Sequence, residues 1–235
     1  MRLLKILPAA VLISAVLAAP AAAGTVTEII DTPTASPVEF NSYSLSFRFY
    51  RGGSILTRLF YGMIMQDLTL GLSFDAENVV GTGKVEPRRP YIYVKLPIYS
   101  GGGRWPALSL GFDEQGFGKY DDKDELYQYP PAGFFLVATA GGVAPGLNLG
   151  AGVNAEYTSA EGASEKITGF ANFDFTVGPE FMFVGEVRSL GNSSAGNAGF
   201  RYLLRPELHF EFAVINIGGR GDPERILRAT YKGAF

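Results

Sequence analysis

Few residues in this chain could carry out acid–base, nucleophilic or metal chemistry. The sequence has one histidine, His209, and no cysteine, so disulfides, thiolate nucleophiles and cysteine-based metal sites are excluded. His209 is followed two residues later by Glu211, whereas a lipid hydrolase needs a serine nucleophile beside its histidine base. We therefore predict no enzyme, no catalytic residue, no cofactor and no metal, and a hydrolase that uses His209 is the weakest functional hypothesis.

The segment 113–132 is the densest group of acidic side chains, with six acidic residues and two lysines. A calcium-binding loop of the EF-hand type would need acidic ligands at fixed spacing, a central glycine and a terminal glutamate. That spacing is absent here. The segment is predicted to be a solvated acidic loop.

The N-terminal residues 1–23 have the pattern of a cleaved signal peptide. Arg2 and Lys5 precede a short apolar run, and small residues that end in Ala21 and Ala23 follow it. Without this segment the chain keeps 18 basic and 23 acidic residues, because only Arg2 and Lys5 are lost. A negative balance argues against nucleic acid as a partner, since nucleic acid selects basic surfaces.

The elements that must position the remaining side chains are strands. Apolar and polar residues alternate with a period of two in five segments, which indicates half-buried strands. Weaker segments bring the predicted number of strands to twelve. The five segments with clear alternation are 42–50, 68–75, 147–157, 167–177 and 208–214, and the weaker ones are 55–65, 90–99, 105–112, 133–140, 180–188, 198–204 and 224–235.

Four features indicate that the apolar face of these strands points to lipid. Short and long connections alternate along the chain, aromatic residues fall at both ends of the strands, the last residue is Phe235, and the polar face carries too many charges for a soluble core. We predict an all-β protein: a transmembrane antiparallel up-and-down β-barrel of about twelve strands in residues 42–235. Residues 24–41 are expected to form a periplasmic N-terminal segment, and the location is the outer membrane of Gram-negative bacteria.

The predicted outer face has two aromatic rings, or girdles, at the membrane interfaces. Outer-membrane lipids and lipopolysaccharide are the expected partners of this face, and the C-terminal strand is expected to be recognised by the barrel-assembly machinery. The girdle residues are Phe49, Phe74, Phe112 and Tyr157 at one end, and Tyr43, Phe175, Phe181 and Phe235 at the other.

The predicted inner face is polar and nearly balanced in charge, with seven basic and six acidic residues, which suits a weakly selective channel or a lumen closed by ion pairs. The residues predicted to line the lumen are Arg48, Tyr91, Tyr93, Lys95, Asp174, Glu186, Arg188, Arg201, His209 and Glu211. Arg58, Arg228, Lys232, Asp75, Asp113 and Glu156 have the same phase.

Glycines recur on the predicted inner face, at Gly71, Gly111, Gly150 and Gly152. Bending of the strands, with tyrosine rings covering the bare backbone, is the favoured interpretation. The alternative is that the glycines make room for a plug, formed by residues 76–89 folded inward.

The stretch from Leu72 to Phe117 resembles known outer-membrane sequences in Ser73–Gly81, Tyr93–Leu96 and Pro106–Phe112, the last with the pattern PALxxG. It is similar to uncharacterised bacterial outer-membrane barrels and, more distantly, to YjbH-like barrels associated with exopolysaccharide export. This resemblance covers about a fifth of the chain. It implies a role in passing or anchoring surface polysaccharide and no catalytic residue.

The leading functional hypothesis is a small, weakly selective, porin-like pore, or an accessory to the export of surface polysaccharide. Small solutes or polysaccharide would then contact lumen residues: tyrosine rings stack on sugar faces, and charged groups order hydroxyls and water. The alternative is a closed structural or anchoring barrel whose loops bind partners.

Overall fold

The computed structural model describes residues 26–63, 68–102, 105–121, 126–129, 131–156, 166–189, 194–219 and 221–235. Fifteen strands and one short 3₁₀ turn, Arg51–Gly53, occur in these residues. The strands are β1 Ser42–Tyr50, β2 Ser54–Gly62, β3 Thr69–Glu77, β4 Glu86–Pro87, β5 Tyr91–Tyr99, β6 Ala107–Asp113, β7 Phe117–Asp121, β8 Leu126–Tyr129, β9 Gly133–Ala144, β10 Leu147–Glu156, β11 Lys166–Val177, β12 Phe181–Ser189, β13 Ser194–Leu203, β14 Leu208–Ile217 and β15 Glu224–Ala234.

Twelve of the described strands form one closed antiparallel ring, because β1 pairs with β2 on one side and with β15 on the other. Each remaining strand of the ring pairs with its neighbours in chain order, which leaves no free sheet edge. The short β4 extends the end of β3, and β7 and β8 form a separate hairpin. The predicted twelve-strand barrel is confirmed.

The seam between the first and last strands is fixed by the two ends of the barrel chain. The Phe235 N–H donates to the Asn41 carbonyl oxygen at 3.0 Å, and the Asn41 side-chain amide donates to the Phe235 carbonyl at 2.7 Å. The Tyr43 ring lies 5.2 Å from the Phe235 ring, and it covers Gly233 so closely that a Cβ atom there would be 2.6 Å from it. A larger residue at Gly233 would push the ring away.

The outer face is apolar and exposed, and the predicted girdle residues that the structure describes point outward. Phe49, Phe74 and Phe112 lie towards the end with the long connections, here called the loop end. Tyr43, Phe175, Phe181 and Phe235 lie towards the opposite end, here called the turn end, and Tyr157 is outside the described residues. In the described part of the chain, no helix is long and apolar enough to cross a bilayer.

Residues 26–38, here called the inner segment, lie inside the ring, which differs from the periplasmic position expected for residues 24–41. Two backbone hydrogen bonds form a tight turn: the Ile29 N–H donates to the Thr32 oxygen at 2.9 Å, and the Thr34 N–H donates to the Thr27 oxygen at 3.1 Å. Ile29 and Ile30, at the tip, are 0% exposed. Burial of two isoleucines favours the inside position by about 3–6 kcal/mol before ordering costs.

A second element enters the lumen from the loop end. The described residues of the β7–β8 hairpin, 117–121 and 126–129, are here called the mouth hairpin, and Phe117, Tyr127 and Tyr129 in it are buried. The predicted solvated acidic loop is therefore wrong for this part of 113–132. Residues 76–89 do not supply the plug, since Val79 and Val80 within them are exposed.

Candidate functional site

The candidate site is the lumen, where the wall meets the inner segment. All ten side chains predicted to line it lie on the inner face, and all are buried except Arg188, which is partly buried. Period-two alternation places them there, because every second residue of a strand shares a face. They are Arg48, Tyr91, Tyr93, Lys95, Asp174, Glu186, Arg188, Arg201, His209 and Glu211.

Glu28 of the inner segment lies between two arginines of the wall. One carboxylate oxygen accepts from Arg58 at 2.8 Å, and the other lies 3.4 Å from the Arg228 guanidinium. Arg58 also donates to Asp113 at 2.8 Å. The buried guanidinium of Arg58 thus binds two carboxylates, one from the wall and one from the inner segment.

Asp31, at the tip of the inner segment, is held in the same way. It accepts from Arg48 and from the Asn197 amide at 3.0 Å, and its carboxylate lies 3.7 Å from Arg188. Burial alone would raise the pKa of Asp31, but the charges of Arg48 and Arg188 outweigh burial and hold it below its usual range. The tip of the segment is therefore anchored as a carboxylate.

Glu186 anchors the backbone of the same tip from the opposite side. Its carboxylate accepts from the N–H groups of Ile30, Asp31 and Thr32 at 3.0–3.1 Å. It also accepts from the Thr32 hydroxyl at 2.8 Å and from the Asn197 amide at 2.6 Å. Three successive N–H groups that point to one site form an anion-binding concavity. The carboxylate of Glu186, a residue of the wall, occupies it.

Basic residues of the wall bind carbonyl oxygens of the inner segment. The ammonium group of Lys95 donates to the carbonyls of Thr27 at 3.0 Å, Thr34 at 3.2 Å and Ser36. Charge-assisted hydrogen bonds of this kind compensate for the loss of water around a fully buried ammonium group. The arginines also contribute: Arg201 donates to Glu28 and Ile29, and Arg228 donates to Ile29 and Ile30.

The lumen contains basic and acidic side chains of the wall as well as the two carboxylates of the inner segment. Among the described side chains, the wall presents seven basic residues, Arg48, Arg58, Lys95, Arg188, Arg201, Arg228 and Lys232. Its acidic residues are Asp75, Asp113, Asp174, Glu186, Glu211 and, at the loop end, Glu77 and Glu224, while the side chain of Glu156 is outside the described part. Glu28 and Asp31 add two carboxylates, each of which pairs with arginines of the wall.

Aromatic residues of the inner face were missed by the sequence prediction. Phe60 and Phe135 lie in the lumen, and each covers a glycine directly opposite on the next strand, Gly71 and Gly111 respectively. A Cβ atom would meet the ring at 2.4 Å at Gly71 and at 2.2 Å at Gly111. These rings were not predicted because apolar and polar residues alternate only weakly in β2 and β9. An inward glycine opposite a phenylalanine is the sequence feature that could have indicated them.

The mouth hairpin contacts the same arginines that hold Asp31. The Arg48 guanidinium lies 5.0 Å from the centre of the Phe117 ring, and the Arg188 guanidinium lies 5.5 Å from the Tyr129 ring. The Tyr127 hydroxyl donates to Asp75 at 2.9 Å, and burial raises the pKa of Tyr127 above its usual range. The inner segment and the mouth hairpin therefore meet at two shared side chains.

His209 lines a recess of the lumen near the turn end. Three basic residues, Arg201, Arg228 and Lys232, line the same recess. Among the described residues, no group of three or more histidine, aspartate or glutamate side chains is arranged to hold a metal ion.

Comparisons with known proteins place the fold. No protein-family model matches the chain, and no curated protein sequence matches it. The structure is similar to the KdgM porin solved in complex with disordered oligogalacturonate, with a TM-score of 0.52 and 14% identity over 83% of this chain and 99% of that chain. It is also similar to the NanC porin, with a TM-score of 0.49 and 10% identity over 82% and 99%. For the outer membrane channel DcaP of Acinetobacter baumannii the TM-score is 0.35, with 12% identity over 84% and 98%.

The similarity to the KdgM porin shows a shared barrel fold. A closed antiparallel ring with an apolar outer face and a polar, charged lumen defines an outer-membrane β-barrel of the porin-like class. Its location is therefore the bacterial outer membrane. The resemblance to YjbH-like barrels stays a prediction.

Proposed function

We propose that the protein is a small outer-membrane channel for hydrophilic solutes, closed in the described conformation by its own inner segment. The observation that carries this proposal is the pairing of Glu28 and Asp31, each between two arginines of the wall. When the segment leaves, four arginines lose a carboxylate partner. Their guanidinium groups are then open to an anionic solute.

Four arginines that have lost a carboxylate partner favour anions mildly, because acidic side chains of the wall remain beside them, in contrast to the one-sided lining of a strongly selective pore. A small solute that bears carboxylates would replace the contacts of Glu28 and Asp31. The oligogalacturonate named for the KdgM porin has this chemistry and supports the proposal. Arg48, Arg188, Lys95 and Glu186 now contact the inner segment, and we propose that they, with Tyr91 and Tyr93, contact the passing solute.

The function is tested by recording currents from purified protein in planar bilayers. The variant that combines Glu28→Gln with Asp31→Asn removes both carboxylates of the segment and is expected to open the channel more often, with a reversal potential that indicates anion preference. The control is Glu207→Gln, in an exposed turn. Silence of both the native protein and the double variant, with native heat-modifiable gel mobility, would overturn the channel proposal.

A closed anchoring barrel is the second candidate function. The full burial of Ile29 and Ile30 inside the ring favours it, because a permanently filled lumen needs no exit for its plug. The same recordings separate the candidates, since an anchoring barrel conducts in neither form. A polysaccharide-export accessory is a narrower form of the channel proposal, and efflux of neutral and acidic oligosaccharides from liposomes tests it.

The proposed partners of the outer face are lipids and lipopolysaccharide. Exposed apolar side chains such as Phe74 and Phe181 support this, because they would otherwise face water. We also propose that the barrel-assembly machinery recognises the C-terminal strand that ends in Phe235. Deletion of Phe235 is expected to reduce the amount of assembled protein in the outer membrane without changing its synthesis.

A further inference from the structure

The wall recognises the inner segment mainly through its backbone. Side chains of the wall donate to eight carbonyl oxygens, those of Thr27, Glu28, Ile29, Ile30, Pro33, Thr34, Ala35 and Ser36. Side chains of the wall also accept from five N–H groups, those of Ile30, Asp31, Thr32, Ala35 and Val38. Contacts to backbone groups do not depend on the side chains that the segment carries.

The wall also contains an apolar pocket, which receives the two isoleucines of the tip. A water-filled pore for ions or sugars gains nothing from an aliphatic pocket in its lumen, since apolar surface exposed to water is unfavourable. The pocket fits a peptide that carries branched aliphatic side chains. The residues that form it are Met182, Val184, Ala213, Ile215 and Ile226.

From these contacts we propose that the lumen is a peptide-binding site whose resident ligand is the inner segment. The site takes a peptide that makes a tight turn at two consecutive aliphatic residues followed by a carboxylate, as in Ile29, Ile30 and Asp31. The aliphatic pair fills the pocket, Arg48 and Arg188 bind the carboxylate, and Glu186 accepts from the backbone N–H groups at the tip. This inference goes beyond the channel proposal, because binding of a peptide requires no conduction.

The turn end is the entrance for such a peptide. The inner segment leaves the lumen there: the Val38 N–H donates to Thr69 at the start of β3, and Asn41 is bonded to Gly62 at the end of β2. Each copy of the chain already carries its own segment in its own lumen. A peptide from a different protein would therefore bind only when the resident segment has left.

The experiment measures exchange of the segment for a labelled peptide. A protease recognition site is inserted between Glu39 and Phe40, both exposed, so that the segment is cut after the protein has folded. A fluorescent peptide with the sequence of residues 26–38 is then added in detergent micelles, and its anisotropy is recorded. We expect saturable binding that is at least tenfold tighter than binding of a peptide with Ile29→Ser and Ile30→Ser.

A second variant guards against failure of the cut protein. The uncut chain with Ile29→Ser and Ile30→Ser keeps the wall intact and weakens only the resident segment, so it too is expected to bind the labelled native peptide. Equal binding of native and serine-substituted peptides, or no binding to either protein with native gel mobility, would overturn the peptide site. Conductance without peptide binding would support the channel and overturn the peptide site. Peptide binding without conductance would support the peptide site and overturn the channel.

Discussion

The inner segment and the mouth hairpin both occupy the lumen, but they are held in opposite ways. The inner segment forms two internal backbone hydrogen bonds at its turn and depends on the wall for most of the others. The mouth hairpin pairs its own strands, β7 with β8, and reaches the wall through aromatic side chains and the Tyr127 hydroxyl. The inner segment needs the barrel wall to pair its backbone N–H and carbonyl groups, whereas the two strands of the mouth hairpin pair with each other.

This difference predicts which element is the firmer closure. Removal of the inner segment would break its hydrogen bonds with the wall and the ion pairs of Glu28 and Asp31, and these contacts together stabilise the closed lumen. Displacement of the mouth hairpin breaks ring contacts at Arg48, Arg88, Arg188 and Tyr91 and the hydrogen bond to Asp75. Substitutions at contacts of each element separate the two.

Glu186→Ala is expected to have the largest effect, because it leaves three buried N–H groups of the tip without an acceptor. We expect a loss of about 3–5 kcal/mol in the free energy that holds the inner segment in the lumen. Limited proteolysis in residues 26–41 should then become at least tenfold faster, with the mouth hairpin cut at its native rate. The matched control is Glu207→Ala at an exposed turn, and equal protection of both variants would contradict the assigned role of Glu186.

The Asp31–Arg48 pair is tested next, by a double-mutant cycle with Asp31→Asn and Arg48→Gln. Each single variant leaves one buried charge short of a partner and should cost about 3 kcal/mol. The double variant should cost less than the sum, with a coupling energy of about 1.5–3 kcal/mol. Urea unfolding in micelles, followed by the fluorescence of the lone tryptophan, Trp105, measures the three variants. Strict additivity would show that the pair is not coupled.

The wall of the barrel was predictable because its residues obey one simple period. In β1, β3 and β14, outward apolar and inward polar residues alternate, and this fixed the phase of Arg48, Asp75 and Glu211 in advance. The aromatic residues at strand ends and the closing Phe235 then gave the direction of the faces. Phe60 and Phe135 escaped because their strands contain apolar residues on both faces.

The contents of the lumen were not predictable from periodicity. The inner segment has neither alternation nor helical spacing, and Pro33 and Pro37 interrupt it. Its position follows from long-range pairing of Glu28 and Asp31 with arginines on distant strands, which sequence spacing does not reveal. The two prolines agree with the enclosed position. Because proline has no backbone N–H, a segment that contains it has fewer donors that need a partner inside the lumen.

Tyr127→Phe tests the weaker closure. The change removes the hydroxyl that donates to Asp75 and leaves the Tyr50 hydroxyl, which donates to the same carboxylate at 2.5 Å. We expect a loss of about 1 kcal/mol, since Asp75 keeps one donor. Proteolysis of the mouth hairpin should accelerate a few-fold, while protection of the inner segment is unchanged. Release of both elements together would show that Arg48 and Arg188 couple them. It would contradict the expectation that the mouth hairpin is released independently of the inner segment.

Arg89→Gln is expected to have the smallest effect. Arg89 donates to Glu114 at 2.8 Å just before the mouth hairpin, but its side chain is 58% exposed. An ion pair in contact with water contributes about 0.5 kcal/mol or less, and salt screens it further. Unfolding of the native protein and of the variant should therefore coincide in 1 M salt, a concentration at which the Debye length is about 3 Å. The coupling of Asp31 with Arg48 should persist in the same salt, because both side chains are enclosed by the wall; its disappearance would mean that water reaches the tip of the inner segment.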